Sequence, residues 1–216
     1  MNGRRAKVFG GIIPIQLTPV SEAVYTFPME NHPFYTPLDH ALFENRIVQL
    51  MGPVDSDLAY HVNKSLLAME KANPDLPIYI YINSPGGEIN SGFSIYDMAR
   101  FIKPEIITVV TGLAASMGSL IALCATKKNR LAFPNSKFLI HQPLISGVLQ
   151  GSASELEINA REILRTKEKI NRIYSEETGK PVEEIIKHTD RDTWMTAEEA
   201  LQFGLISRIV KTRAEI

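Results

Sequence analysis

Ser116 is the residue best placed to do chemistry, because Gly112-Leu-Ala-Ala-Ser-Met-Gly118 surrounds its hydroxyl with side chains of almost no size. The heptapeptide lies inside the longest uncharged run of the chain, Ile106 to Thr126. Three readings compete: a serine in a membrane span, a cap at the first turn of a buried helix, and a nucleophile. Capping is an ordinary task for a serine at a helix start. The pattern G-x-S-x-G is absent, since position 114 is alanine. Small neighbours, however, let a substrate backbone approach, and amides at a helix start can stabilise an oxyanion.

A nucleophilic serine needs a base and a group to orient that base. His141 is the best candidate base: it follows the apolar Lys137-Phe-Leu-Ile140 and precedes Gln142-Pro143, at the end of an expected strand. The other histidines sit in polar or proline-rich surroundings and read as solvated. On spacing alone, any of Asp190, Asp192 or Glu183 is a candidate for the orienting carboxylate. A second tight turn, Asn83-Ser-Pro-Gly-Gly87, can offer a further N–H to the same oxyanion, or it is a plain strand-to-helix connection.

These residues need elements to hold them. Ile106-Ile-Thr-Val-Val-Thr111 is β-branched throughout and reads as a strand buried on both faces. Gly112 to Ala115 reads as a tight turn, and Met117 to Ala125 as a helix. This texture argues against a membrane span, although the run has the necessary length of ~20 residues. Upstream, Asn45 to Met51 reads as a strand, Asp57 to Lys71 as an amphipathic helix, Ile78-Tyr-Ile-Tyr-Ile82 as a strand and Ser91 to Phe101 as a helix. Strands alternating with helices give an α/β class with a mainly parallel sheet.

Composition limits the partners. With 23 basic and 24 acidic residues, the chain carries no field that would favour nucleic acid or anionic lipid. Its 216 residues suit one domain, read as 41–216, preceded by a proline- and aromatic-rich arm, 1–40. The basic start is followed by an apolar stretch broken by Gly10, Gly11 and Pro14, so no signal peptide is read. Cys124, the single cysteine, reads as a buried structural thiol in a reducing, cytoplasmic setting.

One element exceeds the pattern. Glu155 to Glu177, closed by Thr178-Gly179, predicts a rod of roughly 35 Å with an apolar stripe at Leu156, Ala160, Ile163, Ile170 and Ile173 or Tyr174. It lies either on its own sheet or against another subunit.

Taken together, these segments resemble the proteolytic subunit family of the Clp protease, ClpP. The matching stretches are Ile80-Tyr-Ile-Asn-Ser-Pro-Gly-Gly87, Ser94-Ile-Tyr-Asp97, Phe101-Ile-Lys-Pro104, Ala114-Ala-Ser-Met-Gly118, Pro134-Asn-Ser136, Ile140-His-Gln-Pro-Leu144, Ala160-Arg-Glu-Ile-Leu164, Ala197-Glu-Glu-Ala200 and Phe203-Gly-Leu-Ile206, in the family's order. The resemblance implies a ClpP/crotonase-like spiral of β-β-α units with a projecting handle helix, in the region 145–180. It implies Ser116 as nucleophile, His141 as base, Asp192 as the acid, and the N–H groups of Gly87 and Met117 as the oxyanion site. Asp190 and Arg191 become ring contacts, and Ile163 and Ile170 become handle contacts between two stacked heptameric rings. Tyr79, Tyr81 and Phe101 fall at the positions where the family docks its Clp-type AAA+ ATPase. No metal or organic cofactor is implied. ATP use belongs to the partner, since this chain has no G-x-x-x-x-G-K-[ST] loop.

The chain departs from the family in two places. Before the first core strand it reads Tyr35-Thr-Pro-Leu-Asp-His-Ala-Leu-Phe-Glu-Asn-Arg46, which makes the axial arm atypical. After Leu144 it reads Ile145-Ser-Gly-Val-Leu-Gln150, a longer loop than the family's Gly-Gly. These departures suggest a divergent paralogue that works in a mixed ring. The expected function is a chambered serine endopeptidase acting on unfolded polypeptide. The alternative is a mainly structural ring subunit of weak activity. An acyl-CoA enzyme of the crotonase fold would need no Ser-His-Asp set.

Overall fold

The alternating Ile78, Ile80 and Ile82 lie fully buried while Tyr79 and Tyr81 occupy the opposite face, as the twofold period of a strand dictates. A computed structural model of the protein describes residues 36–144 and 150–216. The expected arm, 1–40, lies outside the described residues up to residue 35, as do residues 145–149 of the loop after His141. Pro37–Ile216 forms one compact unit.

In chain order the elements are α1 (Pro37–Glu44), β1 (Ile47–Met51), α2 (Ser56–Ala72), β2 (Ile78–Ser84), α3 (Ile89–Phe101), β3 (Ile106–Ala115) and α4 (Met117–Ala122). There follow β4 (Arg130–Ala132), β5 (Lys137–Ile140), α5 (Ala153–Thr178), α6 (Val182–Thr189), β6 (Thr193–Thr196), α7 (Ala197–Phe203) and β7 (Arg208–Ile209). The order β1-β2-β3-β4-β7 is parallel throughout, while β5 joins β3 in parallel and β6 in antiparallel pairing. The α/β class with a parallel-dominated sheet therefore stands.

The apolar run divides as expected into strand and helix, but at a different point. Gly112 to Ala115 continues β3 rather than forming a turn, and the whole change of direction falls on Ser116. Small residues suit this part of the strand because β2 is irregular beside it, between Ile82 and Ser84. Asn83 turns its side-chain oxygen toward β3 and accepts from the Leu113 N–H at 3.0 Å. A Cβ on Gly112 would lie 2.8 Å from that oxygen. Among the described residues no helix is long and apolar enough to cross a membrane.

The length of β3 lets it serve two neighbours. Its first half pairs with β4 through Thr108, Val109 and Val110, and its last residues pair with β5 through Leu113, Ala114 and Ala115. The strand that ends at Ser116 and the strand that ends before His141 are thus side by side.

The long helix α5 runs for 26 residues, opened by a capping box of Ser152 and Glu155 and closed by Gly179 in the left-handed region. Its two halves do different things. Residues 153–162 are all exposed, and Leu156, Ile158 and Leu164 project apolar side chains into solvent. The later part packs on its own domain: Asn171 accepts from Thr189 at 2.8 Å, and Glu177 pairs with buried Arg130 and with Arg100. Ile170 is only 5% exposed and belongs to the core. This corrects the expectation that Ile170 is a handle contact to another subunit, because its side chain is already used within the chain. Ile163, two turns earlier, is half-buried.

Candidate active site

Strand β3 ends at Ala115, and the chain reverses at Ser116 with φ 53° and ψ −122°. A side chain strains the backbone in that region, so the surrounding contacts must hold it there. They do so on several sides. The Ser116 N–H donates to the Leu139 carbonyl of β5 at 2.9 Å. The Ser116 carbonyl accepts from the Ser119 and Leu120 N–H groups at 3.1 and 3.2 Å, and from the Ser119 hydroxyl at 2.7 Å. The Ser116 side chain makes no capping bond, which removes the capping reading. Its hydroxyl is left to the cleft. Helix α4 has only six residues, so what it offers an oxyanion is the local Met117 N–H rather than a long helix dipole.

The second turn is locked by Val54. The Val54 N–H donates to the Gly86 carbonyl at 2.8 Å, and the Glu88 N–H donates to the Val54 carbonyl at 2.7 Å. In this parallel bridge the residue between, Gly87, directs its own N–H away from Val54. Gly87 lines the same cleft as Met117. No side chain fits at Gly87, where a Cβ would meet the Val54 carbonyl oxygen at 2.2 Å.

The register of β5 with β6 selects the carboxylate. Ile140 lies opposite Thr193, so the next residues outward, His141 and Asp192, face each other. His141 Nδ1 stands 3.2 Å from Asp192 Oδ1. With Nδ1 donating to the carboxylate, Nε2 is free to accept a proton. The His141 side chain is 14% exposed and that of Asp192 61%. Glu183 is placed elsewhere, in the first turn of α6. The Asp190 carboxylate instead faces Lys167 of α5 at 3.7 Å, and the Asp190 carbonyl accepts from the Gln142 amide at 2.9 Å. Arg191 is exposed.

Among the other described histidines, His40 lies beside Glu44 and His61 packs edge-on to Tyr60. His188 is half-buried against Phe203 rather than solvated as expected. None of them lines the cleft.

Ser116, His141, Gly87 and Met117 line one cleft of about 810 Å³. Val54, Leu120, Leu139 and Ile170 supply apolar wall, and Glu88, held by the Ser91 hydroxyl at 2.8 Å, contributes a carboxylate. Sequence reasoning missed Val54, Glu88 and Ser119. Only Ser119, one helical turn after Ser116, carried a visible signal. No group of metal-ligating side chains occurs among the described residues. The arrangement supplies a hydroxyl, an imidazole beside a carboxylate, and the backbone of Gly87 and Met117 along the same cleft, which is the equipment acyl transfer needs.

The docking candidates lie away from this cleft. Tyr81 packs with Ile107 against Val109, Leu131 and Val210, and its hydroxyl accepts from Arg213 at 3.2 Å. The Arg213 guanidinium lies 5.9 Å from the Tyr79 ring centre. Phe101, at the end of α3, is 81% exposed and belongs to neither buried cluster.

The family model described as Clp protease matches residues 32–213. A Protochlamydia amoebophila protein named ATP-dependent Clp protease proteolytic subunit 1 is 46% identical over 179 residues, covering 83% of this chain and 87% of that protein. Two proteins named ATP-dependent Clp protease proteolytic subunit 3, from Rhizobium etli and Rhizobium meliloti, are each 49% identical over 175 residues. Those matches cover 81% of this chain and 89% and 88% of the relatives. On these matches and on its fold, the chain belongs to the Clp protease family, a family of protease subunits.

Proposed function

We propose that this chain is a serine endopeptidase subunit that cuts unfolded polypeptide into short peptides inside a stacked-ring chamber fed by a Clp-type AAA+ ATPase. The observation that carries the reading is that Ser116, strained into a reverse bend, lines one cleft with His141, whose Nδ1 stands 3.2 Å from the Asp192 carboxylate. Ser116 Oγ attacks the peptide carbonyl while His141 Nε2 takes its proton, and Asp192 holds the imidazole and stabilises its charged form. The Gly87 and Met117 N–H groups receive the oxyanion. His141 then protonates the departing amine, and water, activated by the same imidazole, releases the acyl group. No step calls for a metal or organic cofactor.

Assembly enters through the exposed half of α5, where Leu156, Ile158 and Leu164 stand without cover. Ile163, Asp190 and Arg191 remain contacts between subunits in this proposal. Tyr79, Tyr81 and Phe101 remain the docking positions for the ATPase. The relatives named as subunits of an ATP-dependent protease support such a partner. The buried lone thiol of Cys124 suits a cytoplasmic setting.

A second reading, a mainly structural subunit of a mixed ring, draws on the exposure of Asp192 in the single chain and on the Ser116 hydroxyl, which makes no hydrogen bond to His141 among the described residues. Incubating the purified assembly with an unfolded protein, with and without a Clp-type ATPase and ATP, separates the two. Release of short peptides by this chain alone, accelerated for folded substrate by the ATPase, supports the peptidase. Cleavage only after a catalytically intact relative is added supports the structural role.

A further inference from the structure

The Ser119 hydroxyl and the Tyr174 hydroxyl lie 2.6 Å apart, both about 1% exposed, directly beneath the candidate nucleophile. Ser119 belongs to α4 and Tyr174 to the domain-packed half of α5. Ser119 Oγ is also 2.7 Å from the Ser116 carbonyl oxygen and 3.0 Å from that of Leu139. A carbonyl can only accept, so the single Ser119 proton is committed to these two oxygens. Tyr174 must then donate its proton to Ser119. The direction of the chain is fixed: Tyr174 O–H to Ser119 Oγ, and Ser119 O–H to the Ser116 and Leu139 carbonyls.

Both acceptors matter to the site. The Leu139 carbonyl is the group that holds the Ser116 N–H at 2.9 Å. The Ser116 carbonyl shares one planar peptide unit with the Met117 N–H. Fixing that carbonyl on one side of the plane fixes the aim of the N–H on the other. A hydrogen bond accepted at the carbonyl also polarises the amide and strengthens its N–H as a donor.

We propose that Tyr174 and Ser119 form a hydroxyl relay that positions the oxyanion-binding peptide, and through it ties readiness of the site to the seating of α5. The relay rests on the acyl-transfer reading of Ser116 given above. Both hydroxyls are spent on each other and on the Ser116 and Leu139 carbonyls rather than on the reacting atoms, so both are positioning residues. The neighbouring cleft wall fits the same arrangement, because Leu120, Ile170 and Tyr174 line it from α4 and α5 together. A shift of α5 moves the Tyr174 hydroxyl, frees the Ser119 proton from its fixed direction and lets the Ser116–Met117 peptide turn.

The test uses Tyr174→Phe, which deletes one oxygen, and Ser119→Ala, each purified as the full assembly. Steady-state cleavage of a short peptide is measured alongside inhibition by a peptide aldehyde, whose adduct with Ser116 places an oxygen at the oxyanion position. The relay predicts that kcat falls about tenfold in each variant, short of the larger loss on removing an oxyanion donor outright, with KM unchanged. It also predicts that the aldehyde inhibits more weakly by the same factor, and that the double variant loses no more than either single one. A lower melting temperature with kcat and aldehyde affinity within twofold of the parent would overturn the relay and leave a purely structural hydrogen bond. If one variant fails to assemble, the other decides by the same two readouts. A serine-directed phosphonate serves as a separate control: failure to label Ser116 in the parent enzyme would sink the acyl-transfer reading itself, not the relay alone.

Discussion

Gly86 packs so closely on Ser116 that a Cβ built at position 86 would stand 2.6 Å from Ser116 Cβ and 2.9 Å from the Met117 nitrogen. Gly86 also has φ +85°, where a side chain adds strain of its own. The Gly-Gly turn therefore does more than connect β2 to α3; it is the surface against which the reverse bend is moulded. Gly86→Ala displaces Ser116 and Met117 together. The expected result is a loss of about 10²-fold in kcat/KM for a short peptide, the cost of an ångström-scale misplacement, with the circular dichroism spectrum unchanged. Activity within threefold of the parent would show that the bend does not depend on this contact.

The two handle isoleucines should behave differently. Ile163 is half-buried in the single chain, whereas Ile170 is 5% exposed, in the core and in the wall of the cleft. Ile163→Glu is expected to dissociate the assembly while each subunit stays folded. Ile170→Glu buries an unpaired carboxylate and is expected to destabilise the fold by more than about 3 kcal/mol. Sedimentation velocity and urea unfolding read the two effects separately. Equal behaviour of both variants would contradict the division of α5 into a projecting half and a packed half.

The face proposed for the ATPase offers a third contrast. Tyr81→Ala should abolish degradation of a folded, tagged protein in the presence of a Clp-type ATPase and ATP, yet leave cleavage of very short peptides within about twofold, since Tyr81 lies away from the cleft. Because Arg213 donates to the Tyr81 hydroxyl, Arg213→Ala serves as the control for simple loss of packing. Parallel loss of both activities would assign these aromatics to the fold rather than to the partner.

Burial drives the Cys124 thiol up to about 12. An unfolded cysteine titrates near ~8.5, so the folded chain holds its proton more tightly than the unfolded chain does. The resulting stabilisation is fully present below pH ~8.5 and is lost as pH rises toward the folded value. Alkylation by iodoacetamide at pH 8 should be undetectable in the native protein over an hour and complete in urea. Ready native labelling would mean that Cys124 is reached by solvent.

Much of the fold was legible because its signals are local. Ile78 to Ile82 and Ile106 to Thr111 carry the β-branched periodicity that strands need, and Thr178-Gly179 marked the end of α5 to the residue. The site was legible only in part. Asp190, Asp192 and Glu183 are indistinguishable by spacing, and only the pairing of Ile140 with Thr193 brings Asp192 to His141. Gly112 to Ala115 misled because small residues mark turns and also mark strands that pass a crowded neighbour, here Asn83. Ile170 misled because one helical stripe can serve two partners in succession, and periodicity does not say where the change occurs. The Tyr174–Ser119 contact joins residues 55 positions apart and left no local trace.

We propose Ser116 as a nucleophile activated by His141 and Asp192. The most direct test of this assignment is reaction of the assembled protein with a fluorophosphonate, followed by mass spectrometry of the adduct, beside peptide cleavage by Ser116→Ala and His141→Ala. One adduct is expected, on Ser116, with labelling abolished in Ser116→Ala. Cleavage should fall by at least about 10⁴-fold in both variants, because members of such a unit do not contribute additively. An adduct on another residue, or a Ser116→Ala protein that still cleaves peptide at the parent rate, would contradict it.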